Sequence, residues 1–288
     1  MTPRLSVLAE GLDFPEGPAF DAAGDLWCVE MRAGRLARRR TDGRLERFEV
    51  GGAPNGIAID LVGGVWFCDA DLGAIRRLDA GSGRCVTVID SLNGRPLDRP
   101  NDLAFDSARN LIFTCPGHSR TEPTGYVCAL TPKGTCTVVA EGLYFPNGLA
   151  FAPNGDLVLA ETRRQRLWRG GWDPAARRWL DPFPFCQTTG APIGPDGLAI
   201  DDQGRIYAAI YGAGLVEVFD AQGQRQDLLP TLGANTSNCA FDPTGALGLV
   251  VTETERGQIL GFSTRARGAR LFAGEPPAYL IGKTADVG

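Results

Sequence analysis

This 288-residue chain holds one histidine, His118, and two methionines. A single histidine excludes any mechanism built on a histidine pair and any polyhistidine metal site. No Cys-x-x-Cys occurs, so there is no zinc-type or dithiol redox spacing. The eight cysteines are even in number, but Cys28, Cys68, Cys115 and Cys128 fall inside apolar strand-like runs and read as buried free thiols. No apolar run approaches the ~20 residues of a membrane-spanning helix. The opening stretch MTPRLSVLAEGLDFPEG has no apolar signal core, so the expected location is the cytoplasm. Basic charge is short as well: 29 Lys and Arg against 34 Asp and Glu give a net −5, which argues against nucleic acid or an anionic membrane as partner. The arginine runs RLARRR (35–40) and RRQR (163–166) alternate with apolar residues and read as solvated faces of outer strands. Nowhere is helical periodicity sustained.

Turn formers, by contrast, are plentiful, with 38 glycines and 20 prolines. They punctuate a sentence written six times: FPEGPAFDAAGDLWCVE (14–30), APNGIAIDLVGGVWFCD (53–69), RPNDLAFDSARNLIFTC (99–115), FPNGLAFAPNGDLVLAE (145–161), GPDGLAIDDQGRIYAAI (194–210) and the degenerate TSNCAFDPTGALGLVVTE (236–253). The matching positions 16, 55, 101, 147, 196 and 237 recur about every 44 residues, the period of a four-stranded β-propeller blade. Each copy has a short apolar run, a turn of Asp, Pro, Asn and Gly, and a second run rich in Val, Ile, Trp and Phe. Two further strand candidates separate successive copies. The expectation is an all-β, six-bladed propeller, residues 1–288 as one domain around a central channel, with a loose tail after about 274. RLSVLAEGLDFPEG matches the outer-strand pattern CTVVAEGLYFPNG, so residues 4 to 9 are expected at the outer edge of blade six.

In a propeller the first strand of each blade lines the channel and starts at one mouth. The variable letter of the repeated sentence falls there: Glu16, Asn55, Asn101, Asn147, Asp196 and Ser237. All six carry oxygen, and just two are carboxylates. Such a ring suits a hard divalent cation such as Ca²⁺, which takes six to eight oxygens. The bland alternative is a ring of Asn-Gly and Asp-Gly turns, against which a glutamate, a poor turn residue, counts. The glycine or small residue that often follows lets the backbones approach closely.

The pieces FPEGPAFD, RPND, FPNGLAF and PDGLAIDDQGRIYAA, in that order at blade spacing, resemble the senescence marker protein/regucalcin/gluconolactonase family over nearly the whole chain. The resemblance implies a six-bladed propeller that hydrolyses sugar lactones, in some members phosphotriesters, with one divalent cation. Ca²⁺ is favoured, with Zn, Mn, Mg and Fe(II) open. It further implies Glu16, Asn147 and Asp196 as metal ligands, and substrate contact at Asn101 and Arg99. No role follows for Asn55 or Ser237. Two departures stand out: Cys115 replaces an aspartate that many bacterial members carry after the blade-three FT, and Gly197 follows Asp196 where some relatives supply a hydroxyl.

Lactone hydrolysis needs an activated water, an acceptor for its proton and a stabiliser for the oxyanion. Asp196, at the metal, is the expected general base. Arg99 offers a donor fork to hydroxyls or an anionic product. His118, in the long loop PGHSRTEPTG of blade three, and Tyr211, at the end of a blade-five strand, are expected near substrate on the mouth face. The expected function is a metal-dependent lactonase of gluconolactonase type, acting on a small-molecule lactone as a monomer or small homo-oligomer. Its rivals are phosphotriesterase or aryl-esterase activity at the same metal, and a non-catalytic ligand-binding propeller.

Overall fold

A computed structural model describes residues 4–189 and 193–277. The repeat becomes six antiparallel four-stranded sheets, and first strands of successive blades touch all the way round to close a ring. The first strands are Pro15–Phe20, Pro54–Ile59, Leu103–Phe105, Pro146–Phe151, Gly194–Ile200 and Thr236–Phe241. The second strands, among them Leu26–Glu30, Val65–Asp69, Leu111–Cys115, Leu157–Glu161 and Leu249–Glu253, are buried along their whole length, which is why each reads as an unbroken apolar run. Outer strands such as Arg84–Ile89 are partly exposed along their length. No helix of the described residues is long and apolar enough to cross a membrane.

Aspartates lock the first hairpins. The Asp21 carboxylate accepts from the amides of Ala23 and Asp25 and from the Trp27 indole. Asp60 does the same for Val62, Gly64 and Trp66. A side chain that mimics a backbone turn sets the reversal and pins the buried tryptophan at once.

The amino-terminal strand Leu5–Ala9 pairs with Gln258–Phe262 and completes blade six, so the ring closes by hydrogen bonds between the two ends of the chain. After blade six the chain crosses the face opposite the mouth. There Phe272 bridges to Phe105 and packs edge-on against Phe151, and the Gly274 carbonyl accepts from the Leu61 amide. Beyond 274, Glu275 pairs with Arg109 and Pro276 and Pro277 are buried. The rest of the expected tail, 278–288, lies outside the described residues.

The arginine runs need correction. Arg35, Arg38 and Arg40 are partly buried and paired with Glu30, Glu46 and Asp25. Arg163 and Arg164 lie in the short 3-10 turn Thr162–Arg164 at the mouth, not in an outer strand, and only Arg166 enters the sheet. The first run does form a strand, Arg35–Arg39, but one inside the blade, where neighbouring acids pair its arginines; the second begins in a turn.

Candidate active site

Two kinds of carboxylate line the mouth end of the blades, and their partners separate them. At the ends of second strands stand Glu30, Asp69, Glu161 and Glu253, all fully buried. Glu30 is bound by Arg35 at 2.7 Å and Arg47 at 2.8 Å, and accepts from the Asp13 amide. Glu161 takes Arg166 at 2.7 Å, the Trp168 indole and the Tyr144 amide. Asp69 takes Arg76 and the Ala53 amide, and Glu253 the Asn235 and Arg256 amides. Each holds a backbone amide two or three residues ahead of a channel residue and so fixes the entry of that first strand. In blade three Cys115 occupies this position, and the Tyr126 hydroxyl accepts from the Asp98 amide instead. In blade five the position is Ile210, an apolar residue, and Glu217 on the next strand holds Thr189 and Arg225. These acids are structural clamps.

The second kind lies on the axis. In five copies the ladder between first and second strands is irregular at the channel residue: between Glu16 and Ala19, Pro54 and Ile57, Pro146 and Leu149, Pro195 and Leu198, and Thr236 and Asn238. Such a bulge re-aims side chains, and it brings the following residue toward the axis too. In four copies that residue is glycine. In the other two it is Asp102 and Asn238, which the sequence hides because the repeat makes the position look like one kept for a small residue. A Cβ on Gly56 would lie 2.3 Å from the Asp102 carboxylate, and one on Gly197 1.9 Å from the Asn238 amide oxygen. The neighbouring blades' glycines are thus the room these two side chains use. The two copies that break the glycine were the legible signal.

Glu16, Asp102 and Asp196 meet here without a counter-charge: among the described residues no arginine, lysine or histidine pairs with any of them. Burial pushes the Glu16 carboxyl up to about 7, with the Asp102 charge adding to it and the Gly17 amide, Asn238 and Ser237 opposing. Burial raises Asp102 to about 6, against the amides of Leu103 and Leu149 and the Asn238 side chain. Asp196 is raised well above the carboxylate range, first by burial, then by Glu16 and Asp102, while the Asn147 amide opposes. Asp196 nevertheless keeps some surface open to the mouth. Asp102 therefore reaches across the axis, sensing blade four through Leu149 and blade six through Asn238.

Of the residues expected at the site, Glu16, Asn147 and Asp196 fall together. The Asn147 amide also donates to Thr162 at 3.2 Å, and the Thr162 hydroxyl in turn donates to the Pro195 carbonyl. Asn55 accepts from its own neighbour Gly56, and Ser237 donates to the Pro15 carbonyl, tying blade six to blade one. Asn101 begins blade three, partly exposed. Arg99, in a left-handed conformation (φ 51°), reaches Asp71 at 3.3 Å with both side chains exposed, a contact worth little. His118 is exposed on the mouth-face loop. Its neighbour Ser119 is buried and accepts from the Phe145 amide, anchoring that loop to blade four. Tyr211 is half-buried, its hydroxyl raised first by burial and also by Asp196 and Glu16.

Among the described residues no three His, Cys, Asp or Glu side chains are gathered to hold a metal by themselves. A cation here would need amide oxygens as well as carboxylates. The donor chemistry fits one: buried hard oxygens carrying uncompensated negative charge, with no thiolate or imidazole among them.

Replacing Gly197 by alanine is expected to displace Asn238 from the axis, destabilise the fold by roughly 1–3 kcal/mol and weaken whatever the axial carboxylates bind. Denaturant melts of the variant check this. A wild-type midpoint would mean that Asn238 has room elsewhere.

The profile of the SMP-30/gluconolactonase/LRE-like region matches residues 14–255. A gluconolactonase from Zymomonas mobilis is 26% identical over 84% of this chain and 76% of its own. A diisopropyl-fluorophosphatase from Loligo vulgaris is 26% identical over 94% of this chain and 95% of its own. The solved structure of a gluconolactonase from Xanthomonas campestris superposes with a TM-score of 0.80 at 28% identity, covering 90% of each chain. With the family profile spanning all six channel residues, from Glu16 to Ser237, this chain belongs to the SMP-30/gluconolactonase/LRE-like family.

Proposed function

We propose that this protein is a metal-dependent hydrolase that opens a sugar-derived lactone to the aldonic acid. The observation that carries the reading is the axial trio Glu16, Asp102 and Asp196, buried together with no counter-cation among the described residues and with Asp196 partly open to solvent at one mouth. The clamp acids Glu30, Asp69 and Glu161 each carry an arginine. Among the described residues the axial three have only amides and neutral side chains, so three carboxyls share one buried space at a cost that an empty structural role does not repay. The names of the gluconolactonase relatives support the reaction class.

Glu16, Asn147 and Asp196 would hold the cation, with Asp102 and Asn238 beneath them as further oxygens. When bound, a divalent cation supplies a Lewis acid for the lactone carbonyl and lowers the pKa of water. Asp196, partly open to the mouth and steadied by the Asn147 amide, accepts the proton of the attacking water at its free carboxylate oxygen. Asn101 and Arg99, on the blade-three side of the mouth, bind substrate hydroxyls. Tyr211 offers a flat face to a sugar ring on the blade-five side. Asn147 and Thr162, linked by their hydrogen bond, keep the base's neighbour in one rotamer.

The test is acid release from a panel of aldonolactones before and after exhaustive chelation. Hydrolysis should vanish on chelation and return with added Ca²⁺ or Mn²⁺. Full activity in metal-stripped protein would move the chemistry elsewhere. A second reading, hydrolysis of phosphorus esters at the same centre, draws on the match to the Loligo vulgaris diisopropyl-fluorophosphatase over almost its full length. A phosphotriester panel run beside the lactones distinguishes the two.

A further inference from the structure

The rim of the mouth varies in charge from blade to blade, whereas every channel residue carries oxygen. Two places past the end of each second strand the blades present Arg32, Asp71, Gly117, Arg163, Ala213 and Glu255 in turn. The two acids are answered locally, Asp71 by Arg99 and Glu255 by the Ala234 amide. The two arginines are not. Arg32 has no acid within ion-pair reach among the described residues. It lies over the Phe14 ring at 4.6 Å, and its charge is felt at the Tyr211 hydroxyl, near Asp196 and Glu16. Arg163 is the stronger case. Its Nε is buried without a partner, and among the described residues no hydrogen bond, ion pair or ring contact reaches its guanidinium. Arg76 and Arg177, whose Nε atoms are also unpartnered, each hold protein oxygens through Nη1, so Arg163 differs from both.

Arg163 also lies next to the chemistry. It follows Thr162, whose hydroxyl joins Asn147 to blade five. Blade one and blade four face each other across the axis, so Arg32 and Arg163 stand at equivalent places on opposite sides of the mouth. On the blade-four side Arg120 over Phe145 and Arg164 over Tyr144 add two more guanidinium groups. Asp98 and Glu122, both exposed, are the acids nearby in sequence on the blade-three loops. The backbone adds a further sign. Phe14 and Phe145, two residues ahead of Glu16 and Asn147, both hold left-handed conformations (φ 61° and 60°), which aromatic residues adopt only under constraint, typically at functional sites.

The buried Nε–H of Arg163 lacks an acceptor, which is costly, while its Nη groups are not buried in this way. The natural partner of a guanidinium is a compact anion that takes two parallel hydrogen bonds. We infer that the substrate of this site is an anionic lactone, its carboxylate or phosphate group held by Arg163 with Arg32 facing it across the mouth, an inference that rests on the lactonase reading. Arginine rather than lysine at both positions suits bidentate recognition of either group.

The experiment compares three lactones on the metal-loaded protein: gluconolactone, its phosphate ester and the monolactone of an aldaric acid. Wild-type kcat/KM should be at least about tenfold higher for an anionic lactone than for the neutral one. Whichever anionic lactone leads identifies the group. In Arg163→Gln the anionic preference should fall about tenfold or more, and Arg163→Lys should recover part of it because charge survives without the fork. A wild-type preference for the neutral lactone, or equal loss on all three substrates in Arg163→Gln, overturns the inference while leaving the lactonase reading intact. If no lactone is opened, the lactonase reading fails, and calorimetric titration with phosphogluconate and with the aldaric acid decides this one separately. Binding weakened by Arg163→Gln upholds an anion site, and absence of binding ends it.

Discussion

Asp196→Asn is expected to lower kcat on the best lactone by on the order of 10²-fold or more, because it removes a proton acceptor and a ligand charge together. The structure adds a reason for the size of the effect. Asp196 feels Glu16 and Asp102 and is raised well above the ordinary carboxylate range, so its ionised form depends on a compensating cation. An asparagine there keeps the shape but neither charge nor basicity. Asn101→Ala, by comparison, deletes one neutral hydrogen bond to substrate and should cost roughly 1 kcal/mol, a several-fold effect chiefly in KM. Steady-state kinetics with metal content measured in each variant decide the matter. Should Asp196→Asn retain metal and near-normal turnover while Asn101→Ala is the more damaging, Asp196 is not the base, and solvent hydroxide or His118 takes its place.

The second large effect is on stability. In the metal-free protein the Glu16 carboxyl titrates at about 7 instead of 4.5 and Asp102 at about 6 instead of 3.8, because burial disfavours their charged forms. Raised acids hold protons in the folded state that the unfolded chain has already released. Their contribution is fully present below about pH 4 and is lost as pH climbs through about 7. A carboxyl that titrates one pH unit higher in the folded than in the unfolded chain carries about 1.4 kcal/mol, so the two groups together are worth several kcal/mol. The chelated protein should therefore melt at least about 5 °C lower at pH 8 than at pH 5.5. Added Ca²⁺ should close that gap, since ionised carboxylates are what it binds. Glu30, whose carboxyl is lowered by Arg35 and Arg47 despite its burial, acts in the opposite sense, but only as pH falls below its ordinary value. Melts above pH 5 thus isolate the axial acids. A flat chelated profile between pH 5.5 and 8 would show that the three carboxyls are not held together.

Blade number, strand grammar and ring closure were legible because they repeat. A period of about 44 residues and the echo between the amino terminus and an outer strand are statements about one dimension. The ring of six polar positions, Glu16, Asn147 and Asp196 among them, was legible for the same reason, since each is an oxygen-bearing letter in a repeated frame; the choice of those three as ligands came from the family resemblance. Asp102 and Asn238 sit in the same frame, at the position where the other four copies have glycine. Their meaning depends on glycines in other blades, Gly56 and Gly197, that leave them space.

Sequence alone could not sort the acids either. Glu30 and Glu161 close the same quoted sentences that Glu16 and Asn147 open, and nothing in one dimension says which are clamps. That was decided by which side chains fold against them. Arg35, Arg47 and Arg166 satisfy the clamps, and among the described residues no cation pairs with the axial acids. Arg163 likewise read as part of a solvated charge run until a 3-10 turn placed its Nε in the protein without a partner. The chain by itself determined the architecture and the oxygen-bearing ring, because hydrophobic periodicity and turn chemistry are local. Only the tertiary structure decided which charges are compensated, because compensation is a matter of distance between blades.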